Sequence, residues 1–162
     1  MQNIEIKLEL RDAPLARILL ARLSAVRVER LTQTDTYFKL ADGRLKKRHM
    51  VGEGVLKAGV TEWIFYHRDN QARTRASQFR LYSDAEARAF FGPVEPPVWL
   101  VVKKVREVFM AGPGHSVRVH LDDVEGLGQF LELEALVTPH LPEDTAHAAG
   151  EDLRHALAPP LG

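Results

Sequence analysis

The chain has 162 residues, which fits one compact domain, and its 45% hydrophobic and 27% charged residues are typical of an ordinary soluble globular protein. The absence of cysteine excludes a disulfide framework, a thiolate zinc site and a cysteine nucleophile. The formal net charge of zero disfavours binding of nucleic acid through bulk positive charge. We expect one domain over residues 1–162 in the cytoplasm, because no signal peptide or membrane span is recognisable.

The two halves of the chain carry opposite charges. Residues 1–81 contain 16 Lys and Arg against 9 Asp and Glu, whereas residues 82–162 contain 6 against 13. Segregation of this kind predicts a basic surface and an acidic cluster that folding brings together.

A first helix is predicted after Asp12, a residue suited to the N-cap, with Pro14 in its first turn. Apolar residues then recur at helical spacing, so we expect them to share one buried face. The positions of this face are Leu15, Ile18, Leu19, Leu23 and Val26.

Two further helices are predicted. One begins where Ser83 and Glu86 have the spacing of a capping box, and it ends at Gly92. The other runs from about residue 143 to residue 157, and we expect Gly150 to interrupt it.

The remaining segments alternate charged and apolar residues with period two, which predicts about eight strands, mostly antiparallel. One face of these strands carries ten bases and six acids. The bases are Lys7, Lys39, Arg44, Lys46, Arg48, Arg68, Arg80, Lys104, Arg106 and Arg118, and the acids are Glu5, Glu9, Asp35, Asp122, Glu132 and Glu134. The predicted fold class is therefore α+β, with helices covering the apolar face of the sheet.

The charged face has two interpretations. Most half-buried strands direct such residues to solvent, and on pattern alone that is the more common arrangement. The density of full charges favours the opposite one, in which a strongly curved sheet turns this face inward. A dry interior cannot hold sixteen charges, so the interior must then be wet and hold a ligand. The surplus of positive charge matches a triphosphate, and the carboxylates suit hard divalent cations.

Five short motifs resemble those of one family in order and spacing. They are Asn3-x-Glu5-x-Lys7, Gln33-Thr-Asp-Thr-Tyr-Phe38, Gly43-Arg44-Leu45-Lys46-x-Arg48, Lys104-x-Arg106, and Arg118-x-His120-x-Asp122-x-Val-Glu-Gly-Leu-Gly-x-Phe-x-Glu132-x-Glu134. Together, over about residues 2–137, they resemble a CYTH domain, the superfamily of class IV adenylate cyclases and thiamine triphosphatases, also called triphosphate tunnel metalloenzymes. The resemblance implies a closed eight-stranded antiparallel β-barrel, or tunnel, with helices packed outside.

The resemblance also implies the site. Metal ligands for Mg²⁺ or Mn²⁺ would be Glu5, Asp122, Glu132 and Glu134, and phosphate-binding residues would be Lys7, Arg44, Lys46, Arg48, Arg68, Arg80, Lys104, Arg106 and Arg118. Catalytic residues would be Glu5, Lys7, Arg106, Glu132 and Glu134. The family signature is Glu-x-Glu-x-Lys, and Asn3 stands in place of its first Glu, which removes one carboxylate.

Three functions remain open at this point. The resemblance implies an adenylate cyclase, which makes cyclic AMP and pyrophosphate from ATP, or a triphosphatase acting on ATP, thiamine triphosphate or tripolyphosphate. The alternative is a non-catalytic module that binds nucleotide or polyphosphate. We expect no membrane or specific nucleic-acid partner, and either a monomer or a homodimer. His120 is more often a structural residue than a proton carrier at such a position, and Tyr37 faces inward, where it could activate water through a nearby lysine.

Overall fold

The computed structural model describes residues 1–41, 43–68 and 75–162, with the side chains of residues 67, 68 and 75–77 outside the description. Its strands are β1 (Gln2–Glu9), β2 (Val26–Phe38), β3 (Arg44–Gly52), β4 (Val60–Arg68), β5 (Arg75–Ser83), β6 (Val98–Ala111), β7 (Val117–Val124) and β8 (Gly128–Leu136). Its helices are α1 (Ala13–Arg22), α2 (Asp84–Phe91) and α3 (Glu143–Ala156), with a 3₁₀ turn over Pro113–His115.

The eight strands form a closed antiparallel barrel in the order β1-β5-β4-β3-β2-β6-β7-β8. The longest pairing joins β2 to β6, and its register shifts between Arg27 and Glu29 and again between Tyr37 and Phe38. Such irregularities bend a strand and increase its twist, which helps a sheet to close on itself. The predicted α+β class, strand number and closed barrel are confirmed.

The helices pack on the outside of the barrel. The outward apolar residues of β1, β7 and β8, including Ile4, Val119 and Leu133, form the main core with Leu20 of α1 and Leu153 of α3. A smaller core beneath α2 joins Ala87 to strands β2 to β4. Because the apolar faces of most strands are covered by helices, their opposite, charged faces enclose the barrel interior.

The helix signals are confirmed at two of the three N-termini. The Asp12 side chain accepts a hydrogen bond from the Leu15 amide at 3.0 Å, and Ser83 with Glu86 forms the capping box. Helix α2 ends at Gly92, whose φ of 100° is a conformation that favours glycine.

Two helix predictions are wrong. The fully buried residues of α1 are Ala13, Ala16 and Leu20. Of the predicted face, Leu19 packs against the core, whereas Ile18 is 52% exposed and Val26 already belongs to β2. Small residues let this short helix approach the barrel closely, which a count of large apolar residues cannot anticipate. Helix α3 continues through Gly150 without interruption, and Gly150 is buried against the barrel. Among the described residues, no helix is long and apolar enough to cross a membrane.

Candidate functional site

The barrel encloses a cavity of about 410 Å³. Its lining comes from the inward faces of β1 to β6 and β8 and from Arg118 of β7. Nine of the predicted site residues line it, namely Glu5, Lys7, Lys46, Arg48, Lys104, Arg106, Arg118, Glu132 and Glu134. The inward-facing interpretation of the charged strands is therefore confirmed.

Arg106 and Lys104 are held by one carboxylate beside the cavity. Arg106 donates to both oxygens of Asp122 through Nε and Nη2, each at 2.8 Å, and Lys104 Nζ lies 3.0 Å from Oδ2. The Asp122 side chain has 0% exposure, and those of Lys104 and Arg106 have 5% each. Burial alone would raise the pKa of Asp122, but the hydrogen bonds and charge of Arg106 lower it. Asp122 is thus ionised and fixes two cations toward the cavity.

A second buried carboxylate holds Arg48 in the same way. Arg48 donates to both oxygens of Asp35 at 2.8 Å, and Asp35 also accepts a hydrogen bond from the Gln33 amide at 3.2 Å. Asp35 is 1% exposed, and burial alone would raise its pKa, but the hydrogen bonds and charge of Arg48, together with the charges of Lys46 and Lys104, lower it. Bidentate pairs of this kind fix the plane of the guanidinium group as well as the position of its charge.

Lys46 lies between two aromatic rings. Its Nζ is 5.7 Å from the centre of the Tyr37 ring and 5.3 Å from that of Tyr66. Burial, followed by the positive charge of Arg48, lowers the pKa of Lys46 to about 7. A lysine with such a pKa can both bind an anion and exchange a proton near neutral pH.

Glu132 is the acidic centre of the lining. Its carboxylate lies 3.8 Å from Lys7 Nζ, 3.6 Å from Arg106 Nη2 and 3.2 Å from His120 Nδ1. Burial alone would raise the pKa of Glu132, but the charge of Arg106 and the hydrogen bond from His120 hold it well below its ordinary value. Burial and Arg106 lower the pKa of His120, so its neutral ring donates from Nδ1 to Glu132.

Oxygen donors for a cation gather on two neighbouring strands. Glu5 of β1 stands directly opposite Glu134 of β8, and Lys7 opposite Glu132. Adjacent carboxylates repel each other, and a shared cation would relieve this repulsion. The Asn3 side-chain oxygen is buried in the same wall and has no hydrogen-bond partner among the described residues. His120, Glu132 and Glu134 also have ligand atoms within 4.8 Å of one another. This donor set fits a hard divalent cation such as Mg²⁺ or Mn²⁺.

Four predicted site residues are not among those that the structure places in the cavity lining. The prediction that Arg80 faces the cavity is wrong, because β5 pairs Phe79 and Leu81 with inward residues of β4 and turns Arg80 outward. Arg44 is exposed in a second pocket of about 280 Å³, which shares Tyr37 with the cavity. The Arg68 side chain lies outside the described residues.

The fourth is Asp122. The expectation of a metal ligand does not fit its position, because its side chain is inaccessible and both oxygens already bind Arg106 and Lys104. It acts on the site through those two cations.

Sequence reasoning missed two features of the site. Gln33 was predicted only as part of a motif, although it is 1% exposed and its side-chain amide donates a hydrogen bond to Asp35. A polar side chain at that position of an alternating strand was the signal that could have identified it. The lining by Phe79 and Leu81 of β5 was missed because the strand parity of β5 was assigned from Arg80.

Comparisons with solved structures show that the fold is shared. A Vibrio parahaemolyticus protein described as a candidate adenylate cyclase has a TM-score of 0.70 at 15% identity, covering 99% of this chain and 89% of that one. A Hippeastrum protein described as a candidate adenylyl cyclase with a dominant triphosphatase activity has a TM-score of 0.60 at 15% identity, covering 98% and 89%. The structure of the Schizosaccharomyces pombe Mediator head module also matches, with a TM-score of 0.64 at 11% identity, covering 100% and 97%.

The tunnel fold implied by the sequence motifs is therefore confirmed. No protein-family model and no curated protein matches the chain. The three proteins that share this fold have different descriptions, so the fold alone does not assign an activity. Function must be argued from the residues in the cavity.

Proposed function

We propose that this protein is a divalent-metal-dependent enzyme of the CYTH superfamily that hydrolyses triphosphate-containing substrates. One observation carries the proposal. One enclosed cavity is lined by both bases and carboxylates. The bases are Lys7, Lys46, Arg48, Lys104 and Arg106, and the carboxylates are those of Glu5, Glu132 and Glu134. The description of the Hippeastrum protein, with its dominant triphosphatase activity, supports hydrolysis, and the description of the Vibrio protein as a candidate adenylate cyclase supports only a triphosphate substrate.

The bases bind and orient the phosphate chain. Asp35 holds Arg48 and Asp122 holds Arg106, so both guanidinium groups are oriented before the substrate binds. Arg106 can present its remaining donors to phosphate oxygens, while Lys7, which is more exposed, can move with the ligand. Phosphoryl transfer depends mainly on such positioning and charge stabilisation.

The oxygens of Glu5, Glu132 and Glu134, with the amide oxygen of Asn3, are the donors that we propose for Mg²⁺ or Mn²⁺. When bound, such a cation neutralises phosphate charge and lowers the pKa of coordinated water. Asn3 contributes no charge, so the site carries one negative charge fewer than the Glu-x-Glu-x-Lys signature would supply. His120 holds the Glu132 carboxylate in place through Nδ1.

Lys46 is the proposed proton acceptor. Its pKa of about 7 leaves a substantial neutral fraction near neutral pH, and its amine lies between Tyr37 and Tyr66 in the cavity. A neutral amine there can remove a proton from an attacking water, and the resulting ammonium then stabilises the charge that develops on phosphate.

Product analysis tests the proposal. The protein is incubated with ATP, thiamine triphosphate or tripolyphosphate, with Mg²⁺ or Mn²⁺, and the products are separated. Orthophosphate together with a diphosphate is the expected result. Cyclic AMP with pyrophosphate would instead identify a cyclase, and binding without any product would identify the non-catalytic module.

A further inference from the structure

Strand β6 extends beyond the strand that pairs with one of its two sides. On the first side, β2 pairs with β6 from Val98 to Met110. On the second side, β7 pairs with β6 only from Lys104 onward. Within the described part of the chain, no other strand reaches the second side of residues 98–102. We call this side of residues 98–102 the free edge.

A hydrogen bond shows where the free edge begins. The amide of Glu125, in the turn between β7 and β8, donates to the carbonyl oxygen of Lys103 at 2.9 Å. Backbone groups of a strand alternate between its two sides, so the N–H and C=O of Val101 point the same way as that carbonyl. The described residues provide no strand to pair with them there. A row of unpaired backbone groups is a template for pairing with a strand of another chain.

The free edge is apolar and exposed on both faces of the sheet. Residues 98–102 are the longest uninterrupted apolar run in the chain. Val98 is 51% exposed, Trp99 58%, Leu100 37% and Val101 50%. Side chains alternate between the faces of a strand, so four consecutive exposed residues mean that neither face is covered. An exposed apolar segment with unpaired backbone groups marks a site of association with another protein chain.

The free edge has few of the usual protections against pairing. Natural edge strands carry charges, contain proline, bend at bulges or lie under a helix or loop. Residues 98–102 contain no charged residue and no proline. A register shift leaves Trp99 without a partner on β2, but residues 100–102 pair regularly with β2. Pro96 and Pro97 precede the free edge and lack the N–H that further pairing would need, so pairing ends there.

We propose that the free edge pairs with the free edge of a second copy of this chain. The two edges run antiparallel about a two-fold axis at Leu100, the middle residue of the free edge. Val98 of one copy then lies opposite the partner's Val102, and the sheet is continuous from one barrel to the next. A symmetric contact of this kind uses both free edges and leaves neither unpaired, so it closes at a dimer.

Charge complementarity favours a second copy as the occupant. Self-pairing of an uncharged segment places no like charges opposite each other. The flanks of the free edge have opposite signs, with Glu95 before it and Lys103 after it. Antiparallel pairing brings the acidic flank of each copy toward the basic flank of the other, whereas parallel pairing would bring like charges together. Lys47 holds the Glu95 carboxylate at 2.7 Å and leaves its side chain 39% exposed for this contact.

The expected dimer is weak and reversible. The free edge is short and forms a small interface, and small interfaces are typical of transient complexes. The free edge contributes no residue to the described lining of the cavity. Dimer formation therefore goes beyond the proposed function, and the two are tested independently.

Disulfide trapping tests the pairing and its register. The chain contains no cysteine, so a single introduced cysteine can react only with its counterpart in another copy. Directly opposite residues of an antiparallel pair have Cα atoms about 4.5–5.5 Å apart, which suits a disulfide. Under mild oxidation, Leu100→Cys should form a covalent dimer at least about tenfold faster than the control Val55→Cys, because pairing holds the two thiols together. Val55 is 97% exposed in the connection between β3 and β4.

Sedimentation velocity over a range of protein concentrations measures the association equilibrium. The wild type should pass from monomer to dimer as its concentration rises. Val101→Lys should weaken the dimer at least about tenfold, because it places a hydrated charge in each of the two apolar edges. Val55→Lys adds the same charge elsewhere and should leave the dimer unchanged. Val101 is half exposed, so the monomer can accommodate the lysine, and circular dichroism checks the fold of both variants.

Two results would overturn the proposal. The first is a wild type that stays monomeric at every concentration, together with Leu100→Cys that is oxidised no faster than Val55→Cys; a strand of a different protein would then be the remaining occupant of the free edge. The second is a dimer that Val101→Lys does not weaken, which would place the interface elsewhere on the chain. If Val101→Lys does not fold, the comparison of the cysteine variants decides, because it leaves the rest of the free edge native.

Discussion

Asp122→Asn is the substitution that most directly probes how the bases of the cavity are held. It keeps the size of the side chain and removes one negative charge from a position with 0% exposure. Arg106 and Lys104, whose side chains are 5% exposed, then lose the charge that accepts three hydrogen bonds of 2.8 to 3.0 Å. Two buried cations then lose their hydrogen-bonded carboxylate, and Glu132, 3.6 Å from Arg106 Nη2, compensates their charge only in part.

The cost follows from that burial. Removing one partner of a buried ion pair costs about 3–5 kcal/mol, because the remaining charge stays buried and unpaired. For a chain of this size, each kcal/mol lowers the melting temperature by about 2–4 °C. We therefore expect a free energy of unfolding lower by about 3 kcal/mol or more and a melting temperature lower by roughly 6 °C or more.

The pH dependence provides a second readout. The folded-state pKa of Asp122 is lowered, so its stabilising contribution is present above the unfolded value of about 3.9 and is lost as the pH falls through the folded value. The difference in stability between wild type and variant should therefore be largest near neutral pH and should shrink in acid.

Urea unfolding followed by circular dichroism measures both effects, with Asp123→Asn as the matched control. Asp123 is the next residue of β7 and is exposed, so its substitution should change stability by less than about 0.5 kcal/mol. Saturating tripolyphosphate should stabilise Asp122→Asn more than wild type, because phosphate replaces the missing negative charge. Equal stability of the Asp122 and Asp123 variants would refute the argument that Asp122 holds the two cations.

Three further predictions concern other parts of the chain. The folded-state pKa of Lys46 is about 7, below the unfolded value of about 10.4. The free energy of unfolding of the wild type relative to Lys46→Met should therefore rise between about pH 7 and pH 10. Urea titrations that show no such slope would contradict the burial of this amine. Gly150→Ala should raise the melting temperature by about 2–4 °C in a thermal scan, because an added methyl group meets nothing within 4 Å and alanine favours the helix by about 1 kcal/mol. Arg118→Ala should weaken tripolyphosphate binding about tenfold, whereas Arg80→Ala, on the outer face, should leave it unchanged; equal losses in calorimetry would disprove the register of β5.

The sequence predicted the barrel well because alternation is a local property. Period-two patterning identified the strands, and the density of charge at positions such as Lys46 and Glu132 indicated that their face turns inward. The capping residues Asp12 and Ser83 located two helix starts, because a cap is a short-range hydrogen bond. Each of these features can be recognised within a few residues of chain.

The errors concern tertiary structure. The face of α1 that packs on the barrel was misassigned, since close approach of the helix selects Ala13 and Ala16 over larger side chains. The inward parity of β5 depends on the pairing of Leu81 with Ile64, which no local pattern specifies. Asp122 was expected to bind metal because of its position in the CYTH-like motif, and the sequence does not show how deeply a carboxylate is buried. Only its burial and its contacts with Arg106 show that it acts through the cations.

We propose that metal-binding carboxylates and phosphate-binding bases act on the same ligand in one cavity. The most direct test compares wild type with the double variant Glu132→Gln, Glu134→Gln, and uses Glu125→Gln, an exposed turn residue, as control. Orthophosphate release from triphosphates with Mg²⁺ or Mn²⁺ and metal-free tripolyphosphate binding are both measured. Turnover of the double variant should fall at least about a hundredfold, while metal-free binding should stay the same or tighten because the cavity has become more positive. Turnover at the wild-type rate in the double variant would show that Glu132 and Glu134 do not serve the reaction.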